Sequence, residues 1–389
     1  MNKNKRFLKF SGNALILLGI YATSISTTAS ADWTIVGLGT LTGSSSTAAD
    51  INNFGQVVGN SYTAGCAGSC LTYGYDAFVT GANGTSIMDL GISGVSNTAR
   101  SINNYGQIVG TYEGFDYNPD GYPFLRTYIT GADGVGISDL GTLPGGVSSQ
   151  PGGINDSGQV AGHSYFPNTF AWHAFITGPN GTGMTDLGTL GGRSSYASAI
   201  NNSGQVVGGS YTIDNQMHAF ITDADGVGMT DLNVGGSFSY ANAINNSGQV
   251  VGASDGQAFF TDPNGIGTVN IGVLLGGVSQ AWDINDSGQV VGNFSDDIFS
   301  NHTSAFLYSD GVITNISLLA PVIAAGWTDL HARAINETGQ IVGYGSLDGG
   351  ITVQAFLLSP VPEPQAYAML LAGLGLLGFM ARRRKESAV

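Results

Sequence analysis

Residues Ile200–Gly208 read INNSGQVVG, and Ile244–Gly252 repeat them letter for letter. Close variants begin at Ile51 (INNFGQVVG), Ile102 (INNYGQIVG), Ile154 (INDSGQVAG), Ile284 (INDSGQVVG) and Ile335 (INETGQIVG), at intervals of 40 to 52 residues. A period of that length marks a repeat architecture. Asn at the first turn position and Gly at the fourth suit a type I turn closed by a left-handed residue, the geometry of a G1-bulge hairpin. The first position is held by Asn52, Asn103, Asn155, Asn201, Asn245, Asn285 and Asn336, and the fourth by glycines from Gly55 to Gly339. Polar residues such as Asp156 and Glu337 are expected to fill the exposed middle of the turn.

Each unit carries four strand signals, A-x-A-I-N, Q-V-V-G, A-F-I-T and M-T-D-L, with a second tight turn, PNG or ADG, before the last. The Q-V-V-G strand is apolar on both faces, as at Val206 and Val207, so both faces must be covered by neighbouring sheets. A four-stranded meander repeated around an axis is a β-propeller. The ends fit that closure. The chain opens with an orphan fourth strand, DWTIVGLGTL (Asp32–Leu41), and finishes with ARAINETGQIVGYG…QAFLLSP, three strands lacking a fourth. An open solenoid calls for atypical capping units instead of complementary fragments. The expectation is an all-β, seven-bladed propeller over residues 32–360, with one blade shared between the termini.

The flanks read as address. MNKNKRFLKF, the apolar run ALILLGIYA and the small residues before Asp32 describe a secretory signal peptide over residues 1–31, cut after Ala31. Its apolar run falls short of the ~20 residues of a span. At the other end, Pro362, Glu363 and Pro364 precede sixteen uncharged, mostly apolar residues (366–381), then Arg382, Arg383, Arg384 and Lys385. This predicts a short transmembrane helix with its basic end in the cytoplasm. The order of these parts over residues 361–389 resembles the PEP-CTERM sorting signal. The resemblance implies handling by an exosortase-type membrane peptidase, with the body membrane-anchored first and then held at the cell envelope or released.

Between Asp32 and Pro360 the only cations are Arg100, Arg126, Arg193 and Arg333, against 25 acids, a formal balance of −21. Such a charge repels phosphate backbones, which excludes a nucleic-acid partner. The absence of lysine from the body excludes Schiff-base, P-loop and kinase-type chemistry there. Cys66 and Cys70, in GCAGSC, read as a disulfide-closed loop in an exported protein, with free thiols as the alternative.

The unit His173–Ser210, HAFITGPNGTGMTDLGTLGGRSSYASAINNSGQVVGGS, is similar to the HAF repeat of exported bacterial proteins, named for the tripeptide at His173–Phe175 and His218–Phe220. Asp76, Gln257, Ser304 and Gln354 replace the His elsewhere, so it is no shared ligand. Asp89, Asp139, Asp186 and Asp231 recur before Leu and suit backbone capping. TDADG (Thr222–Gly226) and TDPNG (Thr261–Gly265) open like calcium loops but lack the later ligands, so hairpin turns are expected, with calcium the alternative. No metal site, cofactor or catalytic motif is legible, although a propeller glycosidase needs only two carboxylates.

Function is expected where units differ, in the loops after Q-V-V-G. These carry Tyr73, Tyr75, Tyr112, Tyr117, Tyr122 and Trp172, rings suited to stacking on sugar faces. The reading is a non-catalytic envelope or matrix protein binding exopolysaccharide or another surface component. The alternatives are a propeller glycan hydrolase or lyase, and a purely structural matrix protein.

Overall fold

The computed structural model describes residues 32–63, 74–92, 96–117, 123–295, 302–347, 350 and 352–361. Seven four-stranded antiparallel sheets make the seven blades of a β-propeller. In chain order these are blade 1 (46–89), blade 2 (97–141), blade 3 (148–188), blade 4 (191–231), blade 5 (239–270), blade 6 (278–315) and blade 7 (328–361 with 32–39). Blade 7 is the shared one. The first strand, Asp32–Gly39, pairs antiparallel with the last, Thr352–Val361, setting Trp33 opposite Pro360 and Ile35 opposite Leu358. The signal segment, the predicted membrane helix, and Cys66 and Cys70 lie outside the described residues. Among the described residues no helix is long and apolar enough to cross a membrane.

The blades stack through small apolar cores, one between each neighbouring pair. Val206 belongs to the core facing blade 3, with Ala161, Ala174 and Ile176. Its neighbour Val207 belongs to the core facing blade 5, with Ala241, Ile244 and Val250. Adjacent residues on a strand point to opposite faces, so an apolar pair feeds two cores at once. The Gly that follows is forced by close approach: a Cβ on Gly208 would lie 1.9 Å from the Tyr196 carbonyl oxygen.

The hairpin turns form as their letters dictate. Gly204 sits at φ +76° and its N–H donates to the Asn201 carbonyl at 3.0 Å. The second turn lies against the first, with the Gly226 N–H donating to the Gly204 carbonyl at 3.0 Å. Both turns therefore share one face of the disc.

Asn at the first turn position does more than shape the turn. Asn201 Oδ1 accepts the N–H groups of Ser203 and Gln205, while Nδ2 donates to Gln205 Oε1 at 2.8 Å and to the Asn245 carbonyl in the next blade at 3.1 Å. The inter-blade bond recurs from Asn52 to Asn103 and onward to Asn336, whose Nδ2 returns to the Asn52 carbonyl at 3.0 Å. The ring is closed.

The residue after each Asn makes a second closed ring. Its main-chain N–H donates to the side chain of its counterpart one blade on, as from Asp156 to Asn202 Oδ1 at 3.0 Å and from Glu337 to Asn53 Oδ1 at 3.0 Å. Glu337 is exposed, as expected, and Asp156 is half-buried; both side chains act as links between blades. The Gln of the repeat adds a third tie. Gln159 Nε2 donates to Asp225 Oδ1 in the next blade's second turn at 3.3 Å.

Candidate functional site

The innermost strand of every blade is interrupted at one shared position, and those of blades 4 and 7 carry a second register shift nearer their starts. The shared shift falls between Ala48 and Asp50, Ala99 and Ser101, Pro151 and Gly153, Ala197 and Ala199, Ala241 and Ala243, Ala281 and Asp283, and Ala332 and Ala334. A β-bulge leaves one residue unpaired and re-aims its side chain. The bulged residues are Ala49, Arg100, Gly152, Ser198, Asn242, Trp282 and Arg333, and all seven line one cavity of about 210 Å³ on the propeller axis. They are the x of A-x-A-I-N, the letter that changes from unit to unit.

This waist is flanked along the axis. Towards the turns, the Asn rings line a polar cavity of about 200 Å³. Away from them, Arg100, Ser198, Asn242 and Trp282 also border a wider vestibule of about 520 Å³, with Gln150, His163, Tyr240 and Gln280. The vestibule opens on the face opposite the turns.

Asp50 and Asp283, one position after the bulge, enter the same waist. Asp50 Oδ2 accepts from Ser101 Oγ at 2.7 Å and the Ile102 N–H at 3.0 Å, which ties blade 1 to blade 2. Asp283 Oδ2 accepts the Ile335 N–H at 2.8 Å, which ties blade 6 to blade 7. Burial raises both carboxyls. Asp283 is pushed up to about 8, with the Asp50 charge acting in the same direction against its backbone hydrogen bonds.

Arg100 is exposed to the open channel; desolvation by the atoms packed around it, then the like charge of Arg333, holds its guanidinium below the ordinary range against the opposing pull of Tyr240 and Asp50. Arg333 stacks over Trp282, with its guanidinium carbon 4.1 Å from the ring centroid, and its Nη2 donates to Tyr344 Oη at 3.1 Å. His163 is pushed down to about 4 by burial, and Arg100 adds to the effect. Its Nδ1 is buried without a hydrogen-bond partner, as is Trp282 Nε1.

Of the rings expected to bind ligand, Trp172 adjoins the channel: it packs edge-on to His163 at 5.1 Å and tilts against Tyr196 at 6.4 Å. Tyr112 Oη is hydrogen-bonded to Asp139 Oδ2 at 2.9 Å, within blade 2. Tyr75 is exposed and meets Tyr62 edge-on at 5.8 Å in blade 1. Tyr117 ends the strand Ile108–Tyr117, and its side chain, like Tyr73 and Tyr122, lies outside the described residues. The recurrent aspartates do cap backbone, as where Asp186 Oδ1 accepts the Gly188 N–H at 2.8 Å. Asp186 and Asp231 also bind His173 and His218 of their own blades, at 2.8 and 2.7 Å. Among the described residues no three His, Cys, Asp or Glu side chains converge to hold a metal.

Residues 360–385, which include Pro362, Glu363, Pro364, Arg382, Arg383 and Arg384, match the PEP-CTERM protein-sorting motif. The motif is the recognition signal for exosortase processing and implies export with membrane-anchored processing. No curated protein matches the chain.

Among solved structures, an acylaminoacyl peptidase from Pyrococcus horikoshii is similar in fold, with a TM-score of 0.52 and 10% identity over 83% of this chain and 53% of that one. YCF48 bound to D1 peptide aligns with a TM-score of 0.48 and 14% identity over 85% and 97% of the two chains. The β-propeller domain of the trilobed protease from Pyrococcus furiosus aligns at 0.45 and 10% identity, over 68% and 83%. The likeness is one of fold. The chain is a seven-bladed β-propeller carrying an exosortase sorting motif.

Proposed function

We propose that the protein is an exported, non-catalytic β-propeller of the cell envelope or extracellular matrix that binds exopolysaccharide or another surface glycan at the vestibule end of its axial channel. One observation carries the reading. The seven bulges gather side chains of differing chemistry into one channel, and its wide mouth is bordered by amides and rings, among them Gln150, Asn242, Gln280, Tyr240 and Trp282. Rings and amides together suit a sugar, which offers apolar faces and hydroxyl edges. Trp172 and Tyr196 extend that surface through His163.

The test is to incubate the purified protein with a panel of bacterial exopolysaccharides, with and without calcium, and to follow both binding and released reducing ends. Binding without cleavage, weakened by Trp172→Ala or Tyr240→Ala in a folded protein, supports the reading. Absence of binding across the panel counts against it and leaves a structural matrix role.

A second reading, a glycan hydrolase or lyase, is favoured by the two buried carboxyls in the waist, one with its pKa raised far enough to hold a proton near neutrality. Both are also occupied in tying blades together. New reducing ends, abolished by Asp283→Asn, select that reading.

A further inference from the structure

The bulge position holds six different residue types in seven blades, and two of its seven occupants are arginines. That places half of the body's four cations on the axis of a body that carries 25 acids. Among the described residues no carboxylate lies within 4.0 Å of either guanidinium. Arg100 makes no hydrogen bond to the scaffold among the described residues, and Arg333 is only partly engaged, stacked over Trp282 and bonded to Tyr344. Arg193, by contrast, is used on the rim, where it donates to the Phe170 carbonyl.

The fold does not need a cation at these bulges, because Ala49, Gly152 and Ser198 hold the same place in other blades. The two guanidiniums share the waist with Asp50 and Asp283, whose carboxyls burial pushes towards their neutral forms and whose oxygens accept main-chain N–H groups, so the like charges still act on each other and an anion between them relieves both. A guanidinium presents a planar fork of donors that matches a carboxylate in bidentate fashion. Beside this pair lie the Trp282 ring, with its buried and unpartnered Nε1, and, at the vestibule, the unpartnered Nδ1 of His163.

We propose that Arg100 and Arg333 form a carboxylate receptor in the channel waist, so that the bound glycan is an acidic one. It presents a uronic-acid-type carboxylate to the two guanidiniums while its ring rests against Trp282. The proposal rests on the glycan-binding reading above and names the substrate class. On a body this acidic, the waist is where two of its four arginines come together, which is where an acidic polymer meets the least repulsion.

The experiment is calorimetric titration of the purified protein with a defined uronic-acid oligosaccharide, its carboxyl-reduced neutral counterpart and a sulfated oligosaccharide of equal length. Wild type is expected to bind the acidic form at least about tenfold more tightly than the reduced form. Arg100→Gln and Arg333→Gln each lose about tenfold or more for the acidic form and little for the neutral one, while Arg193→Gln changes neither. Urea unfolding checks that the variants fold, and the comparison of the two ligands on wild type needs no variant. Equal affinity for acidic and reduced forms, or unchanged affinity in the Arg100→Gln/Arg333→Gln double variant, overturns the receptor and leaves the glycan reading standing. Preference for the sulfated form overturns carboxylate selection. No binding of any of the three overturns both.

Discussion

Replacing Asn201 by Ala removes four hydrogen bonds from a side chain only 4% exposed: two accepted by Oδ1 from Ser203 and Gln205, and two donated by Nδ2 to Gln205 and the Asn245 carbonyl. At about 1 kcal/mol net for each, the loss is about 4 kcal/mol, and partners left buried and unpaired push it higher. The neighbouring change Asn202→Ala serves as the control. Asn202 is exposed and its side chain gives up two bonds, both to Asp156, for less than about 1 kcal/mol. Asn336→Ala tests the ring at its closure, because its Nδ2 bond to the Asn52 carbonyl spans 284 residues of chain. The assay is urea unfolding followed by fluorescence of the four tryptophans. Asn201→Ala and Asn336→Ala should cost alike, and each several times more than Asn202→Ala. A cost below about 1.5 kcal/mol for both ring variants, or one matching the control, would show that the ring does not hold the blades and that turn geometry alone explains the repeated Asn.

Three further outcomes follow from the same geometry. Asp283 ionises at about 8 when folded, against an ordinary 3.8, so between those values the folded state holds a proton that the unfolded state lacks; its contribution is full below about 4 and lost as pH rises through 8. Asp283→Ala should therefore compare more favourably with wild type at pH 9 than at pH 5, by at least about 1.4 kcal/mol, and an equal effect at both pH values in urea unfolding refutes the burial argument. Deleting Asp32–Gly39 opens the ring, bares the edge of Thr352–Val361 and strips Leu38 from its core, so the product should aggregate or unfold at much lower urea; a monomer of wild-type stability on size exclusion counts against closure by the termini. Gly208→Ala, whose Cβ would meet the Tyr196 carbonyl oxygen at 1.9 Å, should cost about 3 kcal/mol or prevent folding, whereas Gly183→Ala, with φ +64° and open space, should cost about 1–2 kcal/mol; the reverse order in unfolding free energies refutes the close-approach account.

The letters of the repeat reveal what is local. Turn type, strand order, the two-faced Val pair and the matching fragments at the ends are all written within a few residues of where they act, and each is found in place. What the letters hide is who sits opposite. The partner of Asn201 is 44 residues on and that of Asn336 is 284 residues back, so an Asn chosen for a type I turn and an Asn chosen to clasp the next blade look the same. The channel was hidden for a different reason. Strict alternation along A-x-A-I-N does not mark the x as special, and only the register shift turns it to the axis. A signal was present nonetheless: within a unit copied seven times, x reads Ala, Arg, Gly, Ser, Asn, Trp and Arg.

That letter has a physical licence to vary. A bulged residue makes no ladder pair and its side chain leaves both inter-blade cores, so small residues such as Ala49 and Gly152 serve there as well as Asn242, which donates to the Ala281 carbonyl of the next blade. The residues beside it have no such freedom, since Ala197 packs against Val206 and Phe220, and the Ile that follows is buried in every blade. It follows that Arg100→Ser, which copies the bulge of blade 4 into blade 2, should leave unfolding free energy within about 1 kcal/mol of wild type. A loss of 3 kcal/mol or more in urea unfolding would mean that Arg100 holds the blades together and is scaffold after all. A neutral result leaves the guanidinium with no structural reason to be there, which is what a residue kept for binding requires.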